Sequence, residues 1–164
     1  MNDVNGELET YQQSLRGIFE ALKAAEIETL FLTPNMLNTH VSDAVLDELT
    51  VYAEVTAGMQ NGGKMDVFMD AARAVAFESG VAIADGYALW KQMHQGGMDI
   101  TELLANGINH PCREMHGMFA ELLYETIFGA MSTMPEPEDA PEPTPEEGDE
   151  ITPLQFEEQE ETQN

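Results

Sequence analysis

Ile27-Glu28-Thr29-Leu30-Phe31-Leu32-Thr33-Pro34 is the stretch on which the fold class turns. β-Branched and aromatic residues dominate it, apolar residues fall on both of its alternating faces, and a proline closes it. That is the pattern of a strand, 27–33, buried within a sheet. What precedes it has a different period. Leu8, Tyr11, Leu15, Ile18, Phe19 and Leu22 recur at steps of 3, 4, 3, 1 and 3, one face of a helix that begins near Glu7 with Asn5 as its N-cap. A helix handed over to a buried strand through three or four residues is the building unit of α/β proteins.

Downstream the alternation continues. Ser42 is a candidate cap for a helix near 42–58, with Val45, Leu46, Leu49, Tyr52 and Ala53 as its apolar positions and His40 in the loop before it. Gly62-Gly63 breaks the chain, and Val67, Phe68, Ala71, Ala72, Val75 and Ala76 predict a helix over 65–79 that stops at Gly80. Residues 81–84, Val-Ala-Ile-Ala, form a second short strand, and Asp85-Gly86-Tyr87-Ala88-Leu89-Trp90 opens the next helix, with Trp90 suited to the core. After Gly96-Gly97, Asp99 and Glu102 have capping-box spacing before a short helix over 100–105. A last helix of about 17 residues carries the stripe Met115, Met118, Phe119, Leu122, Leu123, Ile127 and Phe128, which packs back on the sheet. The eleven methionines suit gap-filling in a core better than copper binding or a calmodulin-like groove.

Between the two last helices runs Asn106-Gly107-Ile108-Asn109-His110-Pro111, followed by Cys112-Arg113-Glu114-Met115-His116. Gly107 permits a backbone conformation closed to most residues and Pro111 presets φ for a first helical turn, so His110 falls at or beside a helix N-cap. Taken alone, a loop histidine is more often a cap or a surface residue than a catalyst.

Residues 106–116 resemble the last sequence block of the SGNH (GDSL-type) ester hydrolases, in which an Asp-Gly-x-His-Pro or Asp-Gly-x-Asn-His-Pro loop supplies the Asp and His of the triad. Met1-Asn2-Asp3-Val4-Asn5 resembles that family's Gly-x-Asn-Asp block without its glycine, and Leu32-Thr33-Pro34-Asn35 and the Asp85 segment resemble its later strand ends. The resemblance, over about residues 1–130, implies a flavodoxin-like three-layer α/β/α fold of which only the last two parallel strands and their helices are present, the chain being truncated at its N-terminus. It also implies hydrolysis of an acyl or acetyl ester on carbohydrate or lipid through an acyl-serine. His110 would be the general base, Asn2 an oxyanion donor, and Asn106 the residue at the position of the triad Asp. Residues 35–61 would line the substrate cleft.

Two parts of that machinery are missing or altered. The serines are Ser14, Ser42, Ser79 and Ser132, and none lies in a Gly-Asp-Ser motif. Asn106 is neutral where the family has an acid, and in serine proteases the same Asp-to-Asn change costs roughly 10⁴ in turnover. The chain is therefore expected to be catalytically incomplete as written. The alternative is a non-catalytic, hydrolase-like interaction domain with an acidic tail, or an unrelated small α/β domain.

Composition divides the chain into a domain at 1–131 and a Pro/Glu-rich acidic tail at 132–164, expected to be disordered. From Met134 onward there are twelve Asp or Glu and six Pro but no Lys or Arg, out of 31 acidic residues in all and a net charge of −25. That charge argues against nucleic acid and against anionic membranes. With one cysteine, four scattered histidines and no Cys/His pair at zinc spacing, neither a disulfide nor a metal or other cofactor is expected. The absence of a signal peptide or a long apolar run predicts a cytoplasmic protein without a membrane segment. The partners expected are an ester substrate, a missing N-terminal half, or a second copy pairing along the bare edge of strand 27–33.

Overall fold

The computed structural model describes residues 2–129, with side chains from Val4 onward. Five helices, α1 (Leu8–Ala24), α2 (Thr50–Asn61), α3 (Lys64–Ser79), α4 (Gly86–Gln95) and α5 (Arg113–Phe128), accompany two strands, β1 (Leu30–Leu32) and β2 (Ala82–Ala84). The strands pair in parallel, Leu30 opposite Ala82, Phe31 opposite Ile83 and Leu32 opposite Ala84. Parallel neighbours need a crossover connection, and α2 and α3 lie within it. The fold is thus α/β, mostly helical, as the alternation of periods predicts. The tail expected at 132–164 lies outside the described residues. Among the described residues no helix is long and apolar enough to cross a membrane.

One face of the sheet is covered by α1 and α3. Leu15 and Phe19 of α1 and Ala72, Val75 and Ala76 of α3 close on Phe31 and Ile83, and the Phe19 and Phe31 rings meet edge to face, 5.7 Å between centroids. The small residues of α3 let the two helices and the sheet come close. A second, larger cluster joins Met36, Leu37, Met65, Phe68, Met69, Tyr87, Trp90, Ile100, Leu104 and Met115. Here methionines fill space between several elements, the use their spacing predicts.

Several boundaries differ from expectation, each for a local reason. β1 is shorter than 27–33 because Ile27 N–H bonds Leu22 O at 3.0 Å, closing α1, with Glu26 at φ 56°. The ladder nevertheless reaches Thr33, whose N–H donates to Ala84 O at 3.0 Å. Asn5 does not cap α1: it ends a short 3-10 turn, Asn2–Asn5, and the cap position falls to Glu7 without a side-chain bond. The helix expected near 42–58 starts only at Thr50, because Ser42 instead organises a turn, accepting Val45 N–H on its carbonyl at 3.0 Å and Ala44 N–H on Oγ at 3.2 Å. The capping-box helix reduces to a 3-10 turn, Thr101–Leu103, since Leu104 leaves it to form a bridge with Pro111.

Gly86 marks the tightest junction. It stands where α4 leaves β2, against the Phe119 ring of α5, and a β-carbon there would lie 2.8 Å from the Thr33 carbonyl oxygen. The backbone oxygen cannot withdraw without breaking the exit of β1. Gly86→Ala is expected to cost about 1–3 kcal/mol, read as a lowered Tm; an unchanged Tm would show that the β1 exit and the Phe119 ring both yield at this junction.

Candidate functional site

Both strands point their carboxyl ends at one corner of the molecule, the place where open parallel sheets present ligand sites. The chain leaving β1 through Thr33, Asn35, Met36, Leu37 and Asn38 stays buried although it has no regular structure. Its polar groups therefore need partners inside the protein. Leu37 N–H donates to Gln60 Oε1 at 2.9 Å, and Asn38 N–H donates to Ile108 O at 2.9 Å. The Asn38 carboxamide donates to Ala53 O and His40 O, both at 2.9 Å, and accepts the Thr56 hydroxyl at 2.6 Å. Gln60 is held from the other side, its Nε2 donating to the Tyr87 hydroxyl at 2.8 Å. That hydroxyl donates in turn to Asp66, which Lys91 also pairs at 2.9 Å. Burial pushes the Tyr87 phenol well above its ordinary pKa, so it remains a neutral donor.

Asp85, at the exit of β2, ties the two strand ends together. Its carboxylate accepts Thr33 Oγ1 at 2.8 Å, Arg73 Nε at 2.6 Å and Ala88 N–H at 3.1 Å. Thr33 Oγ1 in turn accepts Tyr87 N–H at 2.9 Å. Burial works against the charge of Asp85, but the Arg73 guanidinium, the Thr33 hydroxyl and the Ala88 N–H outweigh it and hold the carboxyl below the usual range. Asp85 is thus fully engaged as the cap of α4 and the partner of Arg73.

The 106–110 corner lies across these exits. Gly107 has φ 63°, and a β-carbon on it would meet Val45 Cγ2 at 3.0 Å and Ser42 Cβ at 3.3 Å, so both the conformation and the space call for glycine. Asn106 organises the turn: its Oδ1 accepts the N–H groups of Ile108 at 3.1 Å and of Asn109 and His110 at 3.0 Å each. Its Nδ2 donates to Asn109 Oδ1 at 2.9 Å. Asn35, from the exit of β1, donates to Asn109 O at 3.0 Å. The residue before His110 is thereby anchored to the sheet, while His110 itself is exposed.

Of the residues singled out by sequence, His110 and Asn106 come together, with the Asn106 oxygen on the histidine's backbone N–H. Among the described residues the His110 ring has no hydrogen-bond partner. The α5 cap is Cys112, two residues beyond His110, and His116 is exposed on α5. Asn2 belongs to the Asn2–Asn5 turn, and its side chain lies outside the described ones. Ser42 lies against the corner, its Oγ 3.8 Å from a Gly107 β-carbon position. Ser14, by contrast, borders a groove between α1 and β1, and Ser79 sits at the opposite ends of the strands. Asn35, Asn38, Gln60 and Thr101 were not legible as functional positions, because their partners come from distant parts of the chain. The same folding brings His40 beside Asp99 and Glu102. No protein-family model matches the chain, and no curated protein matches it in sequence.

The depressed Asp85 pKa gives a signed pH dependence. Its contribution is fully present above the unfolded carboxylate value of about 3.9 and is lost as pH falls below that value through the lower folded one. Asp85→Asn should therefore cost about 1.5–3 kcal/mol at pH 7, by analogy with other charged hydrogen bonds, and denaturant titrations of the two proteins should converge below pH 4. A gap that persists at low pH would mean that the loss is steric and not electrostatic.

Proposed function

We propose that the chain is the carboxyl-terminal part of an SGNH-type ester hydrolase with a flavodoxin-like three-layer fold. In this reading His110 is the general base that accepts the proton of a serine nucleophile, Asn2 donates to the oxyanion, and Asn106 stands at the position of the triad acid. The substrate class is an acyl or acetyl ester on carbohydrate or lipid. The observation that carries the reading is the placement of His110: exposed at the carboxyl ends of the parallel strands, on a corner pinned by Asn106 and Asn35. A base must be held by its backbone if its ring is to reach a reacting group repeatedly in one geometry.

Asn106 gives this proposal a particular form. With its oxygen on three backbone N–H groups and its nitrogen on Asn109, it orients His110 through the main chain. A neutral amide leaves the imidazolium without the charge stabilisation an acid supplies, so turnover would be low. That same engagement supports the second reading, a non-catalytic interaction domain of hydrolase-like fold, since a loop-forming Asn needs no chemistry to explain it. The net charge of −25 then suits a basic partner.

Hydrolysis of p-nitrophenyl acetate separates the readings. The 164-residue chain should not exceed its own His110→Ala control, because none of its serines lies in a nucleophile motif. Extended by whatever coding sequence precedes Met1 in frame, an active enzyme should contain a Gly-Asp-Ser block and lose about 10²–10⁴-fold on His110→Ala, the usual worth of a general base. In the extended protein, activity indifferent to His110, or an upstream sequence without that block, would overturn the hydrolase reading in favour of the binding domain.

A further inference from the structure

Sequence spacing shows no metal site, but folding assembles one set of ligands from positions far apart. His40, on the loop after the β1 exit, meets Asp99, just before the 3-10 turn Thr101–Leu103, and Glu102, within it. Each offers one donor atom, and the three lie within 4.8 Å of one another. His40 Nε2 stands 3.8 Å from Asp99 Oδ2. We propose that His40, Asp99 and Glu102 bind a divalent transition-metal cation, with Zn²⁺ the ion that suits them best.

Three features carry this. The first is donor chemistry: one imidazole nitrogen with two carboxylates suits zinc, whereas Ca²⁺ and Mg²⁺ prefer all-oxygen shells. The second is reach. Zinc bonded at about 2.0–2.1 Å places tetrahedral ligands about 3.3 Å apart. All three side chains are at the surface and have room to close the remaining distance by rotation.

The third is support from behind, supplied by Thr101, which is itself buried. Its hydroxyl lies 3.2 Å from His40 Nδ1, and its N–H donates to Asp99 Oδ1 at 3.0 Å. With the ring proton on Nδ1 donated to Thr101, His40 presents the Nε2 lone pair outward, the arrangement common behind metal-bound histidines. Asp99 likewise keeps Oδ2 free on the side facing His40. Thr101 Oγ1 is fixed in turn by Thr39 N–H at 3.0 Å. One buried threonine therefore aims two of the three ligands. The surrounding net negative charge raises the local cation concentration, and three protein ligands leave a fourth position for water or an external group.

The ion would tie the 38–43 loop to the 99–102 turn. Asn38, on the first of these, already bonds Ile108 of the His110 corner at 2.9 Å. Metal binding is thus expected to stiffen the 106–110 corner, independently of whether His110 is a catalyst.

The test is calorimetric titration of the metal-depleted, full 164-residue chain with Zn²⁺ alone, repeated with Mg²⁺ and Ca²⁺. One saturable zinc site is expected, weakened at least about tenfold in His40→Ala and in Glu102→Gln, with no comparable site for Mg²⁺ or Ca²⁺. Glu102→Gln alters an exposed group that bonds no other described residue, so its result does not depend on refolding, and circular dichroism of the metal-free His40→Ala protein checks that variant. The proposal is overturned if zinc shows no saturable binding. It is equally overturned if both variants bind zinc as the parent does, which would assign the ion to other histidines or to acidic residues at large.

Discussion

An irregular segment buried between two helices and a turn is the constraint on which the rest of this structure depends. From Thr33 to Asn38 the chain runs through the interior without helix or strand to satisfy its amides. An unpaired buried amide costs about 1–3 kcal/mol, so each needs a partner brought from elsewhere. Gln60 of α2 and Ile108 of the corner supply partners for Leu37 and Asn38, and Thr101 of the 3-10 turn supplies one for Thr39 just beyond them. The positions of α2, of the 99–102 turn and of the 106–110 loop are therefore tied to one requirement, which sets the corner carrying His110 at the strand ends.

That arrangement explains why the same corner can hold a histidine steadily and leave its ring exposed. Rigidity comes from below, through Asn35 and Asn38, and from within, through the three N–H groups gathered on Asn106. None of these bonds involves the imidazole, so the ring keeps its hydrogen-bonding capacity for a ligand. Asp85 illustrates the opposite case. It stands at an equally prominent strand end, but Arg73, Thr33 and Ala88 occupy both of its oxygens, which makes it a clasp between strands and leaves little for chemistry.

Much of the framework was legible in the sequence because it rests on periodicity. The apolar steps of α1 and α3, the two short β-rich runs and the stop at Gly80 all follow from local pattern. The same pattern overstated how much is covered: Ile18 is 54% exposed and Ile127 53%, although both lie on the apolar stripes of their helices. With two strands the sheet is narrower than those stripes, so their margins stay open. The Thr33–Asn38 segment was legible only as the close of a strand at Pro34. Thr, Pro and Asn in succession carry no local signal of burial, and only long-range partners, such as Asn109 for Asn35, reveal a buried strut. The His40, Asp99 and Glu102 group was illegible for that reason also, since no spacing rule links residues that far apart. Asn106 was read as a substitute for an acid, and the structure shows it engaged in shaping the turn.

Native-state hydrogen exchange at the amides of Leu37 and Asn38 addresses the central claim most directly. If this segment is the strut that fixes the 106–110 corner, both amides should exchange only through global unfolding, with the same opening free energy as the buried amides of α3. Exchange at the rate of an exposed loop, with α3 still protected, would contradict it: the segment would then open locally, and the corner carrying His110 would not be held by it.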